Sequence, residues 1–236
     1  MQKKILCIIG TRPEAIKMAP LINLLKKEKF FFIQVCVTAQ HRFLLDEVLS
    51  FFEIVPDYDL NLMSDGQTLS ALTADILLDL TPILKEVAPD LILVHGDTTT
   101  AFSAALAAFY QKIPVAHVEA GLRTGNKYNP FPEEINRQII SRIADWHFAP
   151  TKINQEKLLQ EGVLKEKIFI TGNTGIDALL LVKDKIQKDT DLQEKLAQKF
   201  SFLNPNKKLI LVTAHRRENQ GEKIGRASCR ERVSSP

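Results

Sequence analysis

Two His-x-acid triplets are the residues best placed by type and spacing to do chemistry: His95-Gly96-Asp97 and His117-Val118-Glu119. Each closes a short apolar run, and Glu133 adds a third carboxylate a little further on. Carboxylates gathered around one cleft raise each other's pKa values, which suits acid–base work near neutral pH. The histidines open a competing reading. Residues two apart on a strand share a face, so each His and its acid could ligate one divalent metal, although neither triplet belongs to a familiar ligand pattern. Purely structural roles are a third possibility, with Asp97 capping a helix and Glu119 pairing with Arg123.

Three further stretches could bind an anion. Gly10-Thr11-Arg12-Pro13-Glu14 follows an apolar run and opens a helical pattern, so its amides, with Arg12 and Lys17 close by, could hold a phosphate. It lacks the G-x-G-x-x-G of a dinucleotide site; a capped surface helix with two solvated bases is the plain alternative. Gly172-Asn173-Thr174-Gly175 has similar form, but alone it reads as a turn. His215-Arg216-Arg217-Glu218 follows the last apolar run and is either a solvated basic turn or part of the same edge.

The elements that must position these residues follow from hydrophobic period. Residues 91–94 and 115–118 are strands, and the Ala-rich stretch 98–110 between them is a helix. Strand, helix and strand within about 30 residues make a βαβ unit, whose strands are parallel. Both acids then lie at carboxyl ends of strands, where open α/β sheets bind ligands. Residues 5–9, 33–38, 146–148, 168–171 and 209–213 are further strands. Helices are expected over 43–52, 69–87, 133–143, a Thr151-capped segment ended by Gly162, and from Gly172 to 186. The helix after Gly10 has capping-box spacing at Thr11 and Glu14, and Pro20 should kink or split it. Pro82 is the place for a bend in 69–87. Residues 56–65 read as a loop, and 189–206 as polar with little period.

The 236 residues suffice for one large domain or one domain and part of another. A net charge of +3, evenly spread, does not point to nucleic acid. Three widely spaced cysteines argue for a reducing compartment and against disulfides or structural zinc. No apolar run approaches the ~20 residues needed to span a bilayer, so a cytoplasmic protein without a membrane partner is expected.

Taken together, the chain resembles the non-hydrolysing UDP-N-acetylglucosamine 2-epimerases. The matching segments are GTRPEAIKMAPL, VTAQHR, VHGDTTT, HVEAGLRTG, PFPEEINR, ITGNTGIDAL and TAHRREN, in the family's order from Ile5 to Asn219. The resemblance implies an α/β fold: a Rossmann-like parallel sheet with helices on both faces, as the N-terminal half of a two-domain glycosyltransferase-B arrangement. It implies interconversion of UDP-GlcNAc and UDP-ManNAc for surface polysaccharide precursors, by elimination of UDP to a 2-acetamidoglucal and re-addition. Asp97, Glu119, Glu133 and His215 are the implied catalytic residues, with Arg12, Lys17 and His215 as candidates for the diphosphate. Gln40, His41, Arg137 and Arg216 join Arg12 and Lys17 as substrate-binding residues. No metal or redox cofactor is implied; the expected partners are UDP-GlcNAc and UDP, with a homodimer for the full-length protein.

The chain departs from that family at its end. The match stops near Gly221, whereas family members continue through a full second domain. The expected division is 1–171 for the first Rossmann-like domain, 172–221 for the incomplete start of a second, and 222–236 for a tail whose IGRASCRERV looks like translated adapter sequence. A chain so truncated is expected to be inactive. The alternatives are a non-catalytic sugar-nucleotide-binding fragment, or a hydrolysing 2-epimerase that releases ManNAc and UDP.

Overall fold

Alternation within the apolar part of the first strand, residues 5–9, decides the layering. In β1 (Lys3–Ile9), Ile5, Cys7 and Ile9 pack on one side with Ala15, Met18, Ala19 and Ile22 of helix α1 (Arg12–Leu25). Leu6 and Ile8 pack on the other with Leu72, Ile76 and Leu80 of α3 (Leu69–Val87) and the alanines of α4 (Thr99–Tyr110). A strand covered on both faces needs no polar side, which is why its sequence is a continuous apolar run.

The computed structural model describes residues 2–38, 42–62, 66–204 and 206–210. Its remaining strands are β2 (Phe31–Val37), β3 (Tyr58–Asp59), β4 (Leu91–His95), β5 (Val115–Val118), β6 (Trp146–Ala149) and β7 (Ile168–Ile170). They form one sheet in the order β3-β2-β1-β4-β5-β6-β7, and every pairing is parallel. Helix α2 (Arg42–Phe51) shares the α1 face, contributing Leu45 and Leu49. Helix α5 (Glu133–Ile143) shares the α3–α4 face through Ile140. The expected α/β Rossmann-like sheet with helices on both faces is therefore observed. Beyond it come α6 (Lys152–Gln160), α7 (Thr174–Lys188) and α8 (Thr190–Lys199).

The chain separates into two compact units, residues 1–185 and 186–236. The whole sheet lies in the first; α8 is the described helix of the second, capped by Asp189, whose side chain accepts from the Leu192 amide. No helix among the described residues is long and apolar enough to cross a membrane.

Several expectations need correction. Pro20 does not split α1, which runs unbroken from Arg12 to Leu25. A proline removes one donor, and buried Met18, Ala19 and Ile22 on either side hold the helix to the sheet. The stretch read as a loop at 56–65 contains β3, a two-residue edge strand paired with Cys36 and Val37. The polar segment 189–206 contains α8, whose Leu192 and Leu196 lie one turn apart and half-buried, and none of whose residues is buried. Of the strand expected at 209–213, Leu209 and Ile210 are not strand, and the other three positions lie outside the described residues.

Cys7 and Cys36 are buried free thiols on neighbouring strands, facing opposite layers. Burial pushes each thiol up to about 12, so both behave as small apolar side chains, not as nucleophiles.

Candidate active site at the carboxyl edge of the sheet

β1 pairs with β2 on one side and with β4 on the other. The strand order therefore reverses between β1 and β4, and crevices at such switch points are where open sheets bind ligands. Three turns meet there: Gly10-Thr11 after β1, Gly96-Asp97-Thr98 after β4 and Glu119-Ala120 after β5. They pack closely. A Cβ on Gly10 would lie 2.2 Å from the Thr100 hydroxyl oxygen, which is itself 3.1 Å from the Thr38 hydroxyl oxygen. Position 10 thus has room only for glycine.

Glu119 is the centre of the first charged group. Its Oε2 lies 2.5 Å from Lys17 Nζ and 3.2 Å from His95 Nε2. Burial alone would raise this carboxyl, but His95 and Lys17 outweigh it and bring it down to about 2. The backbone is also unusual. Glu119 has φ +63°, and Gly96, at the equivalent place after β4, has φ +68°. The left-handed region is steric strain for a side-chain-bearing residue, on the order of 1–3 kcal/mol. Arg123 does not pair with Glu119. It forms a two-pronged contact with Glu161 at 2.6 and 2.7 Å, and donates to Ser141 Oγ at 2.8 Å.

Asp97 anchors the second group. Its carboxylate pairs with Arg137, and its carbonyl accepts from Asn136 Nδ2 at 2.9 Å. Arg137 also lies 3.4 Å from Glu134. Glu134 is fully buried and accepts the amides of Thr124 and Gly125 at 3.1 and 3.2 Å. Burial pushes its carboxyl up, yet those amides hold it below the usual range. Asp97 is not the helix cap; Thr98 is, its hydroxyl accepting from the Ala101 amide.

The histidines are supports of two kinds. His95 touches Glu119. His117 places Nε2 2.6 Å from the Gly96 carbonyl, which requires Nε2 to carry the proton. Burial drives His117 down to about 3, and its Nδ1 is buried without a hydrogen-bond partner among the described residues. His147, its register neighbour on β6, is driven down to about 4, again chiefly by burial. Both rings are neutral at physiological pH.

The remaining expected residues are placed unevenly. Glu133 opens α5, where, among the described residues, its Oε2 is buried without a hydrogen-bond partner and no hydrogen bond joins it to Asp97 or Glu119. Arg12 is exposed at the start of α1. The turn at Gly172 reaches the same edge: a Cβ on Gly175 would lie 3.7 Å from Lys17 Cγ. Gln40, His41, His215 and Arg216 lie outside the described residues. One participant was visible in the sequence only as a local cap. Glu14 accepts the Gly10 and Thr11 amides and also the Thr98 hydroxyl; its spacing from Thr11 signalled the first role, and nothing signalled the second. Burial pushes its carboxyl up against those hydrogen bonds.

The family model for UDP-N-acetylglucosamine 2-epimerase matches residues 23–232. The chain belongs to the UDP-N-acetylglucosamine 2-epimerase family. It is 57% identical over 219 residues to the UDP-N-acetylglucosamine 2-epimerase of Salmonella typhimurium, covering 93% of this chain and 58% of that protein. The crystal structure of the Neisseria meningitidis UDP-GlcNAc 2-epimerase bound to UDP-GlcNAc superposes with a TM-score of 0.89 at 54% identity, over 94% of this chain and 59% of that one. The Methanocaldococcus jannaschii UDP-GlcNAc 2-epimerase, solved with UDP-GlcNAc and UDP, gives 0.76 at 36% identity over 83% of this chain and 53% of that one. The chain thus spans less than two thirds of the epimerases it matches.

Proposed function

We propose that the parent protein is a non-hydrolysing UDP-N-acetylglucosamine 2-epimerase, and that this chain supplies the acid–base wall of its cleft. The observation that carries the reading is the pair of linked carboxylates, Glu119 with Lys17 and His95, and Asp97 with Arg137, at the ends of adjacent strands.

The chemistry asks for such a wall. The C2 hydrogen of the sugar is not beside a carbonyl in the ring, so direct deprotonation is too slow. Breaking the C1–O bond makes C1 cation-like and acidifies the C2 hydrogen. UDP leaves with the bonding pair, a carboxylate takes the proton, and 2-acetamidoglucal remains. Re-addition of UDP at C1, with protonation on the opposite face of C2, gives UDP-ManNAc. Asp97, Glu119 and Glu133 are the proposed proton-transfer and charge-stabilising groups. Arg12, Lys17 and His215 are proposed to hold the diphosphate, assisted by Gln40, His41, Arg137 and Arg216 around the nucleotide sugar. Lys17 already faces Glu119, so a diphosphate that draws Lys17 toward itself would also release that carboxylate for its step. The enzyme is proposed to work in the cytoplasm as a homodimer.

Asp97→Asn or Glu119→Gln in the intact enzyme is expected to lower kcat on the order of 10²-fold or more. Near-wild-type turnover in either variant would remove that residue from the mechanism. Product analysis separates UDP-ManNAc from free ManNAc and so tests the hydrolysing alternative. Because 58% of the relative's length is matched, the 236-residue chain alone is proposed to be inactive. UDP-GlcNAc titrated into it, beside a turnover assay, checks whether it acts as a non-catalytic binding fragment.

A further inference from the structure

The turns on the two sides of the switch point are joined by one buried carboxyl. Glu14, in the first turn of α1, is 2% exposed. Its Oε2 accepts the backbone amides of Gly10 at 3.1 Å and Thr11 at 2.6 Å. Its Oε1 accepts the hydroxyl of Thr98 at 2.7 Å, across 84 residues of sequence. Thr98 in turn accepts the Ala101 amide at 3.0 Å, closing the first turn of α4. Each of Glu14's partners is a donor, so both oxygens act as acceptors, as in a carboxylate. A capping box requires only the amide contact at the start of its own helix; the bond to Thr98 reaches a second element. Asp97 immediately precedes Thr98, and Arg12 and Lys17 lie on the helix that Glu14 helps to open.

This arrangement also bears on where an anion can sit. A phosphate at a strand-to-helix turn is normally held by the free amides of the helix start. Here the Gly10 and Thr11 amides already point at Glu14 Oε2.

We propose that Glu14 is a positioning residue whose carboxylate fills the amide cradle of the first turn and ties that turn to the α4 cap beside Asp97. A diphosphate reaching this edge is then held by side chains and not by those amides; this corollary alone rests on the proposed function.

The test uses the 236-residue chain, labelled with ¹⁵N, as wild type, Glu14→Ala and Glu14→Gln, with inorganic pyrophosphate as the probe. In the wild type the Gly10 and Thr11 amide resonances are expected to stay in place throughout the titration. Glu14→Ala is expected to gain saturable shifts at both amides, and to exchange its Ala101 amide about tenfold faster. Glu14→Gln keeps a carbonyl acceptor and should restore most of the Ala101 protection, a rescue that a packing defect would not show. Saturable shifts of Gly10 and Thr11 in the wild type would overturn the proposal. So would a folded Glu14→Ala chain that gains no anion-dependent shift or leaves Ala101 unchanged. If Glu14→Ala does not fold, the wild-type titration still decides whether the cradle is filled. No sugar nucleotide enters the experiment, so its outcome is separate from that of the epimerase assay.

Discussion

His117 and His147 make a quantitative prediction about acid. In the folded protein their rings are held down to about 3 and about 4, whereas an unfolded histidine titrates near 6.5. Above pH 6.5 neither state binds a proton at these rings, and their contribution to stability is complete. As pH falls below 6.5 the unfolded chain takes up a proton at each ring and the folded chain does not, so stability is lost. The loss continues until pH reaches the folded values. With ~1.4 kcal/mol per pKa unit, the fall from pH 7 to pH 4 removes about 3 kcal/mol through His117 and nearly as much through His147. Together that rivals the whole stability of a typical domain, ~5–15 kcal/mol. Urea unfolding at pH 7, 5.5 and 4 can be followed through Trp146, the only tryptophan, which precedes His147 on β6. His117→Gln is the control, because a glutamine amide can still donate to the Gly96 carbonyl but does not titrate. It is expected to lower stability at pH 7 while removing about half of the pH dependence. A midpoint that is flat between pH 7 and 4.5, or a His117→Gln chain with the full wild-type slope, would refute the reasoning.

Three other outcomes are expected. Lys17→Met should let the Glu119 carboxyl rise from about 2 toward the ordinary range; carboxyl-detected NMR titration reads this, and an unmoved Glu119 would assign the effect to His95. Gly10→Ala should cost ~1–3 kcal/mol in urea unfolding, because the new methyl meets the Thr100 side chain at 2.2 Å, and adding Thr100→Ala should recover part of the loss. Arg137→Leu should cost ~3–5 kcal/mol by leaving the buried Glu134 without its cation; full stability in that variant would show that the Thr124 and Gly125 amides suffice.

How much of this was legible in the sequence depended on how local its cause was. The helices Leu69–Val87 and Glu133–Ile143 and the strand Val115–Val118 stand where apolar period and turn residues placed them. Helix α8 was passed over because its apolar side is only Leu192 and Leu196 among charged and polar residues, too short a stripe to stand out. The edge location of Asp97 and Glu119 followed from the βαβ pattern, since carboxyl ends of parallel strands share one edge. Their partners did not follow. Arg123, four residues from Glu119, was one possible cation for it, but Arg123 reaches Glu161. Lys17, 102 residues away, takes the place instead. Glu14 shows both limits in one residue: its cap was visible three positions away, and its bond to Thr98 only after folding.

The backbone at Glu119 has an evolutionary consequence. After β4 the left-handed position is occupied by glycine; after β5 the same conformation is imposed on a glutamate. Stability by itself would favour glycine or asparagine there, so under the proposed function the carboxylate's role is what offsets the cost of a side chain at this position. A descendant released from that selection would be expected to drift at position 119 early and with little harm to folding, while its buried sheet residues stayed as they are. Under the proposed function, an acid at position 119 is expected in relatives that keep the activity and free to change in those that keep only the scaffold. Reconstructing Glu119→Gly and comparing its thermal midpoint with that of Glu119→Ala, which loses the same carboxylate but keeps a Cβ, would calibrate that cost: glycine should be the more stable by roughly 1 kcal/mol.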